Sequence, residues 1–308
     1  MTRGAVRTCA VSVDLDEIPN YFGIHGLPAP TGPEAHAVYD LALQRLQDWA
    51  AGHGIPLTLF TIGSDLSRPE NAATLQRMAR AGHELANHTL DHRYDLTRLS
   101  RDEQLHQVAG AVERIRETTG YAITGFRAPG YTTTDTLYDV LSELGVAYSS
   151  SVFPCPPYYL AKALALLVIR LRRRESHSIL DVPEVLLAPR APYRVGSPYW
   201  QPGAGMVELP VQVTEHLRLP FIGTTLTLFG PERARWLTQD VVHASFVNLE
   251  LHGIDVLAAA DGLTALEPHQ PDVRVPLQRK LDSLDAAIAV LKGAGYSFIR
   301  LDEAAARV

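Results

Sequence analysis

Along residues 6–153 short apolar runs alternate with longer segments in which apolar positions recur every three or four residues. The first pattern reads as buried strand and the second as amphipathic helix. Strands are expected over 6–16, 56–63, 82–88, 123–129 and 146–153. Helices are expected over 34–51, 70–81, 101–118 and 134–144, with Pro69 near the start of one and Gly145 ending another. Regularity lapses over about 154–205, a stretch rich in Pro, Tyr and Arg. It resumes as a strand over 206–213, a helix near 231–243, a strand over 245–252, a helix over 276–293 and a strand over 296–301. Leu277, Leu281, Leu284, Ile288 and Leu291 form one stripe along the last helix, the spacing that core packing requires.

Repeated strand–helix units predict parallel pairing through crossovers. No G-x-G-x-x-G or G-x-x-x-x-G-K run occurs, so the nucleotide-binding versions of such a fold are unsupported. The expectation is an irregular β/α barrel, one domain over 1–308 with an insertion at about 154–205. Barrels gather their chemistry at the C-terminal ends of strands. There the apolar runs end in VDLDE, NHTLDH, FRAPGY and LELHG.

Composition narrows the partners. The chain is 46% hydrophobic and 20% charged with a formal net charge of −6, which argues against nucleic acid. Cys9 and Cys155 are too few for a disulfide framework or a thiolate zinc site, and read as small buried residues. The start, MTRGAVRTCAVSVDLDE, lacks a leader-like apolar segment, so a cytoplasmic location is expected. No apolar run is long enough to span a bilayer. Residues 158–174 join an aromatic start, the run LALLVI and four arginines (170, 172, 173 and 174). Such a segment is either a helix packed on the barrel or one lying peripherally on an anionic inner membrane surface.

Asp14 and Asp16 are two apart on a strand and so point to one side, where two carboxylates repel unless a cation or proton sits between them. His88 and His92 share a face if residues 87–93 begin a helix. One carboxylate and two imidazoles with an open position suit a divalent catalytic metal, zinc first, with cobalt, nickel or iron as alternatives. The other aspartate is then available as a base, and a bidentate Arg127 could hold it ionised and aimed. His252 is the candidate proton donor.

The ordered set D-x-D, GHELANHTLDH (82–92), FRAPGY (126–131) and LELHG (249–253) resembles the polysaccharide deacetylase family, also called NodB-homology or carbohydrate esterase family 4. The likeness runs from about residue 8 to 302. It implies a distorted (β/α)7-8 barrel that removes an N-acetyl group from an amino sugar with a metal-activated water. By that likeness Asp14 is the general base, Asp16, His88 and His92 are the metal ligands, Arg127 orients the base and His252 is the general acid. Leu249 and Leu251 form the wall for the acyl methyl, and the backbone amide of Gly130 or Tyr131 serves the oxyanion. The substrate expected is an N-acylated sugar, free, nucleotide-linked or lipid-linked. Two departures stand out: Ser149 lies where the family often has an aspartate supporting the acid histidine, and Trp200 is only loosely assigned to the substrate site. Alternatives are a deformylase of a formamido sugar, a ureide-type amidase on the same barrel and an inactive glycan-binding protein. Oligomeric state is not legible.

Overall fold

The structure, a computed structural model, describes residues 6–308; the reading of the first five residues lies outside it. Strand β1 (Thr8–Asp14) carries small or apolar side chains up to its final aspartate and is buried along its whole length. A strand covered on both faces must read that way. The others follow as β2 (Leu57–Thr61), β3 (Glu84–Asn87), β4 (Gly125–Phe126), β5 (Tyr148–Ser149), β6 (Tyr193–Val195), β7 (Pro202–Glu208), β8 (Phe246–His252) and β9 (Ser297–Phe298). In space they run β6-β7-β5-β4-β3-β2-β1-β8, with β9 beside the start of β1. Every pairing is parallel except β6 with β7.

The gap between β7 and β8 is crossed by irregular chain. The Leu209 amide donates to the Ser149 carbonyl and the Gln212 amide to that of Asn248. Ile222 bridges to Glu250. The sheet is therefore curled into a distorted (β/α) barrel whose seam is closed by loops.

Around it lie α1 (Ile18–Ile24), α2 (Leu43–His53), α3 (Pro69–Arg80), α4 (Arg101–Thr119), α5 (Asp135–Glu143), α6 (Pro156–Leu171), α7 (Gly223–Phe229), α8 (Pro231–Val241), α9 (Leu277–Gly293) and α10 (Leu301–Ala305). Local signals set their ends. Ser100 and Glu103 form a capping box at the start of α4, and Gly120 at φ 73° ends it. The stripe on α9 packs as expected: Leu284, Ile288 and Leu291 are buried with Val11, Val13, Leu249 and Leu251.

Two expectations need correction. The strands expected over 123–129, 146–153 and 296–301 shrink to two residues each, and the strand expected over 206–213 runs instead from Pro202 to Glu208. Past β5 the chain leaves the ladder, and the amides of Ser151 and Val152 donate to the buried Glu208 carboxylate instead. The stretch 154–205 is also less irregular than its composition implies. It holds the 16-residue helix α6, then β6 and the start of β7. No helix of the described residues is long and apolar enough to cross a membrane.

Candidate active site

β1, β3, β4 and β8 end on the same rim, and Asp14, His88, Gly130 and His252, at or just past those ends, line one cavity of about 390 Å³. Asp14 and His252 are register partners at the ends of β1 and β8. Asp16 follows two residues beyond the end of β1.

His88 and His92 reach the site differently from the helix expected at 87–93. The chain after β3 turns through left-handed backbone at Thr89 (φ 68°) and His92 (φ 51°). Such conformations are strained for non-glycine residues and need local support. Asn87 Oδ1 accepts from the Thr89 amide at 2.7 Å, and Thr89 Oγ1 accepts from the His92 amide at 3.0 Å. This turn brings the two Nε2 atoms to 3.2 Å. His88 Nδ1 donates to the Arg127 carbonyl at 2.8 Å, which leaves its Nε2 lone pair facing the cavity.

Asp16 Oδ1 lies 3.3 Å from His88 Nε2 and 3.1 Å from His92 Nε2, yet it is buried without a hydrogen-bond partner. Three donor atoms spaced this way fit a tetrahedral divalent ion: bonds of about 2.0–2.1 Å place ligand atoms about 3.3 Å apart. Burial alone would raise the Asp16 carboxyl, but the His92 and His88 imidazoles hold it well below the usual carboxylate range. The donor set is open on the cavity side, as a catalytic rather than a structural metal requires.

Arg127 is fully buried, its guanidinium 4.0 Å from the centre of the Phe60 ring. It binds Asp14 with one arm only: Nη1 donates to Oδ1 at 2.6 Å, while Nη2 donates to Ser12 and Ser150 and Nε to the Ser150 carbonyl. The bidentate pair expected from sequence is thus replaced by a single bond. Asp14 Oδ2 stays unclaimed, 3.8 Å from His88 Nε2 and 4.0 Å from His252 Nε2.

The acid histidine has a partner that sequence reasoning missed. Glu250, two residues back on β8 and so on the same side, is fully buried with Oε1 2.8 Å from His252 Nδ1. Burial would depress the imidazolium; Glu250 first, then Asp14 and Asp16, raise it well above the ordinary histidine value. Ser149 meets Ser151 at 2.8 Å instead. The alternation of apolar and acidic positions in NLELH was the available signal for Glu250.

The same alternation overturns the acyl wall. Leu249 and Leu251 point to the opposite face of β8, into the core beneath α9, and do not line the cavity. Trp200 packs edge-on against Tyr199, also outside it. The apolar lining comes instead from Tyr21, Tyr94, Tyr131, Tyr158, Ile222 and Phe229. Gly130 and Tyr131 line the cavity on a turn with both residues left-handed (φ 62° and 59°). A Cβ on Gly130 would sit 3.0 Å from the Tyr94 ring, so glycine is required there. The Tyr131 amide already donates to the Ala128 carbonyl, leaving Gly130 as the candidate oxyanion donor. Lys162 of α6 donates to the Gly130 carbonyl at 3.0 Å, and burial lowers its ammonium to about 8.

Three other histidines lie away from these donors. His83 accepts the Leu57 amide, and His25 meets Gln270. His243 lines a separate cavity at the start of β8, far from the strand ends that carry the chemistry.

Known proteins share these features in part. The polysaccharide deacetylase family model matches residues 36–149, the stretch that carries His88, His92 and Arg127. A peptidoglycan deacetylase from Helicobacter pylori is 23% identical over 154 residues, 49% of this chain; the match covers 52%, about half, of that protein's length. A Mycobacterium smegmatis structure assigned to the polysaccharide deacetylases aligns over 100% of this chain and 92% of its own, with a TM-score of 0.63 at 18% identity. A family 4 carbohydrate esterase pseudoenzyme from Bacillus anthracis aligns over 97% and 66%, with a TM-score of 0.51 at 13% identity. The structural likenesses speak for the fold, and the sequence match likens the segment that holds both histidines to the polysaccharide deacetylase family.

Proposed function

We propose that the protein is a metal-dependent amide hydrolase that removes an N-acetyl group from an amino sugar. The observation that supports this best is the convergence of Asp16 Oδ1, His88 Nε2 and His92 Nε2 on one point, flanked by Asp14 on one side and His252 on the other. A divalent ion held by those three, zinc first, supplies a Lewis acid toward the amide carbonyl and lowers the pKa of a water. The chain's own groups do the rest. Asp14, fixed by Arg127, takes the proton of the attacking water at Oδ2. The Gly130 amide donates to the oxygen that gains charge. His252, kept protonated by Glu250, delivers its proton to the departing nitrogen, so the amine leaves neutral.

The carrier of the sugar is free, nucleotide or lipid. Contact with a membrane surface is supported by the outward face of α6. Leu160, Leu164, Leu167 and Leu171 form an exposed stripe on it, and Arg170, Arg172, Arg173 and Arg174 follow at its end. Apolar insertion plus attraction to anionic lipid is the chemistry of an interfacial helix.

Acetate and formate release from N-acylated sugars, free, nucleotide-linked and polyprenyl-linked, tests the activity. Release with added zinc that His88→Ala and Asp14→Asn both abolish is expected. Release of ammonia from a ureide instead would replace the sugar reading.

A further inference from the structure

A second space of about 450 Å³ adjoins the catalytic cavity under α6, and Tyr158, Ala161, Pro220, Thr225 and Phe229 line both. Beyond those shared residues the groove is walled by Leu219, Leu237 and Trp236, and Arg233 is its one charged lining residue, lying 5.6 Å from the centre of the Phe229 ring. Phe229 and Trp236 are 46% and 58% exposed, unusual for large aromatics outside a binding surface.

Helix α6 roofs both spaces and has two distinct faces. Tyr158, Ala161, Lys162 and Ala165, spaced by three and four, line the cavity and groove. The exposed leucine stripe lies most of a half-turn around the helix from them at 3.6 residues per turn. One helix therefore offers an apolar surface outward and an apolar groove inward, and the groove adjoins the cavity that holds the catalytic groups.

We infer that the groove between α6 and α8 holds the hydrocarbon chain of an amphiphilic substrate whose N-acylated sugar occupies the catalytic cavity. The inference rests on the deacetylase reading for the sugar end. The groove's position against the catalytic cavity, with five lining residues in common, selects this occupant over a protein segment, because a chain lying in it would adjoin the sugar. Its lining is mainly apolar, with Tyr158, Thr225, Arg233 and Trp236 its only side chains able to hydrogen-bond, which suits a chain that makes no hydrogen bonds.

The test compares methyl and octyl glycosides of N-acetylglucosamine with zinc-loaded protein, below the micellar concentration. In parallel, the tryptophan emission is titrated with a dodecyl N-acetylglucosaminide brominated at the chain end. Each methylene buried favours binding by roughly fourfold, so kcat/KM for the octyl glycoside should exceed that for the methyl by at least about tenfold. The brominated chain should quench emission, and Trp236→Phe should remove most of that quenching, since Trp49 and Trp200 lie outside the groove. Trp236→Glu should bring the octyl-to-methyl ratio toward one. Quenching at Trp236 without turnover would uphold the groove and sink the deacetylase reading. Turnover with a ratio near one and no quenching would overturn the groove alone, and neither signal would overturn both. Quenching that survives Trp236→Phe places the chain elsewhere. A dimer in sedimentation that Trp236→Glu splits assigns the groove to a second copy; either result overturns the inference.

Discussion

Replacing Glu250 by Gln keeps the shape of a fully buried side chain and removes one negative charge 2.8 Å from His252 Nδ1. The sign follows from the acid's role. His252 must be protonated to release the amine, so activity is lost as pH rises through its pKa. Glu250 is the strongest influence holding that pKa above the ordinary histidine value, against burial, which lowers it. Removing that charge takes away the largest influence that favours the imidazolium, so the alkaline limb of the kcat/KM profile should move to lower pH, with activity lost first at the alkaline end and retained at the acid end. The assay is acetate release from pH 5 to 10 with zinc content measured on the same samples. A variant that loses activity equally at every pH, with its alkaline limb unmoved, would refute the acid-support role and leave Glu250 as a packing residue.

Other consequences are direct. Wild type should bind one zinc ion by calorimetry and gain about 2.7 kcal/mol of stability when zinc is at 100 times its Kd; His88→Ala and Asp16→Asn should show neither effect. Asp14→Asn should lower kcat by about 10²–10⁴-fold while zinc binding persists, because Asp14 is not among the three converging donors. Gly125→Ala should cost about 1–3 kcal/mol in urea denaturation, since its new Cβ would stand 2.1 Å from the buried Tyr148 ring in the adjoining strand. The protein should float with anionic vesicles at low salt, and Leu164→Glu with Leu171→Glu should return it to the soluble fraction.

The strand–helix order was legible because periodicity is written into each segment wherever burial is one-sided or complete. β1, α4 and α9 lie within two residues of expectation at most ends for that reason. What periodicity misses is where a strand stops pairing. Residues 127–129 and 150–153 are buried and look like strand, but after one backbone bond each to the neighbouring strand (Arg127 to Asn87, Ser150 to Phe126) their amides turn to the Ser151 hydroxyl and the Glu208 carboxylate. A sequence shows that a position wants to be inside; it does not show whether the partner is a neighbouring strand or a side chain.

The site shows the same limit from the chemical side. Asp14, Asp16, His88, His92, Arg127 and His252 were each legible as polar interruptions of apolar runs, and they converge. The turn that joins the two histidines was not legible from the sequence, because it depends on two left-handed residues held by side chains such as Asn87 and Thr89. Ser149 suggested an unsupported acid only while support was sought at one position. A buried imidazolium needs a nearby negative charge, and any strand that can deliver one will serve. On β8 the alternation that places His252 in the cavity also places Glu250 beside it and turns Leu249 and Leu251 away. Period two along five residues thus decides both the acid's partner and the failure of the expected acyl wall, and an amphipathic strand reading of NLELH contains both results.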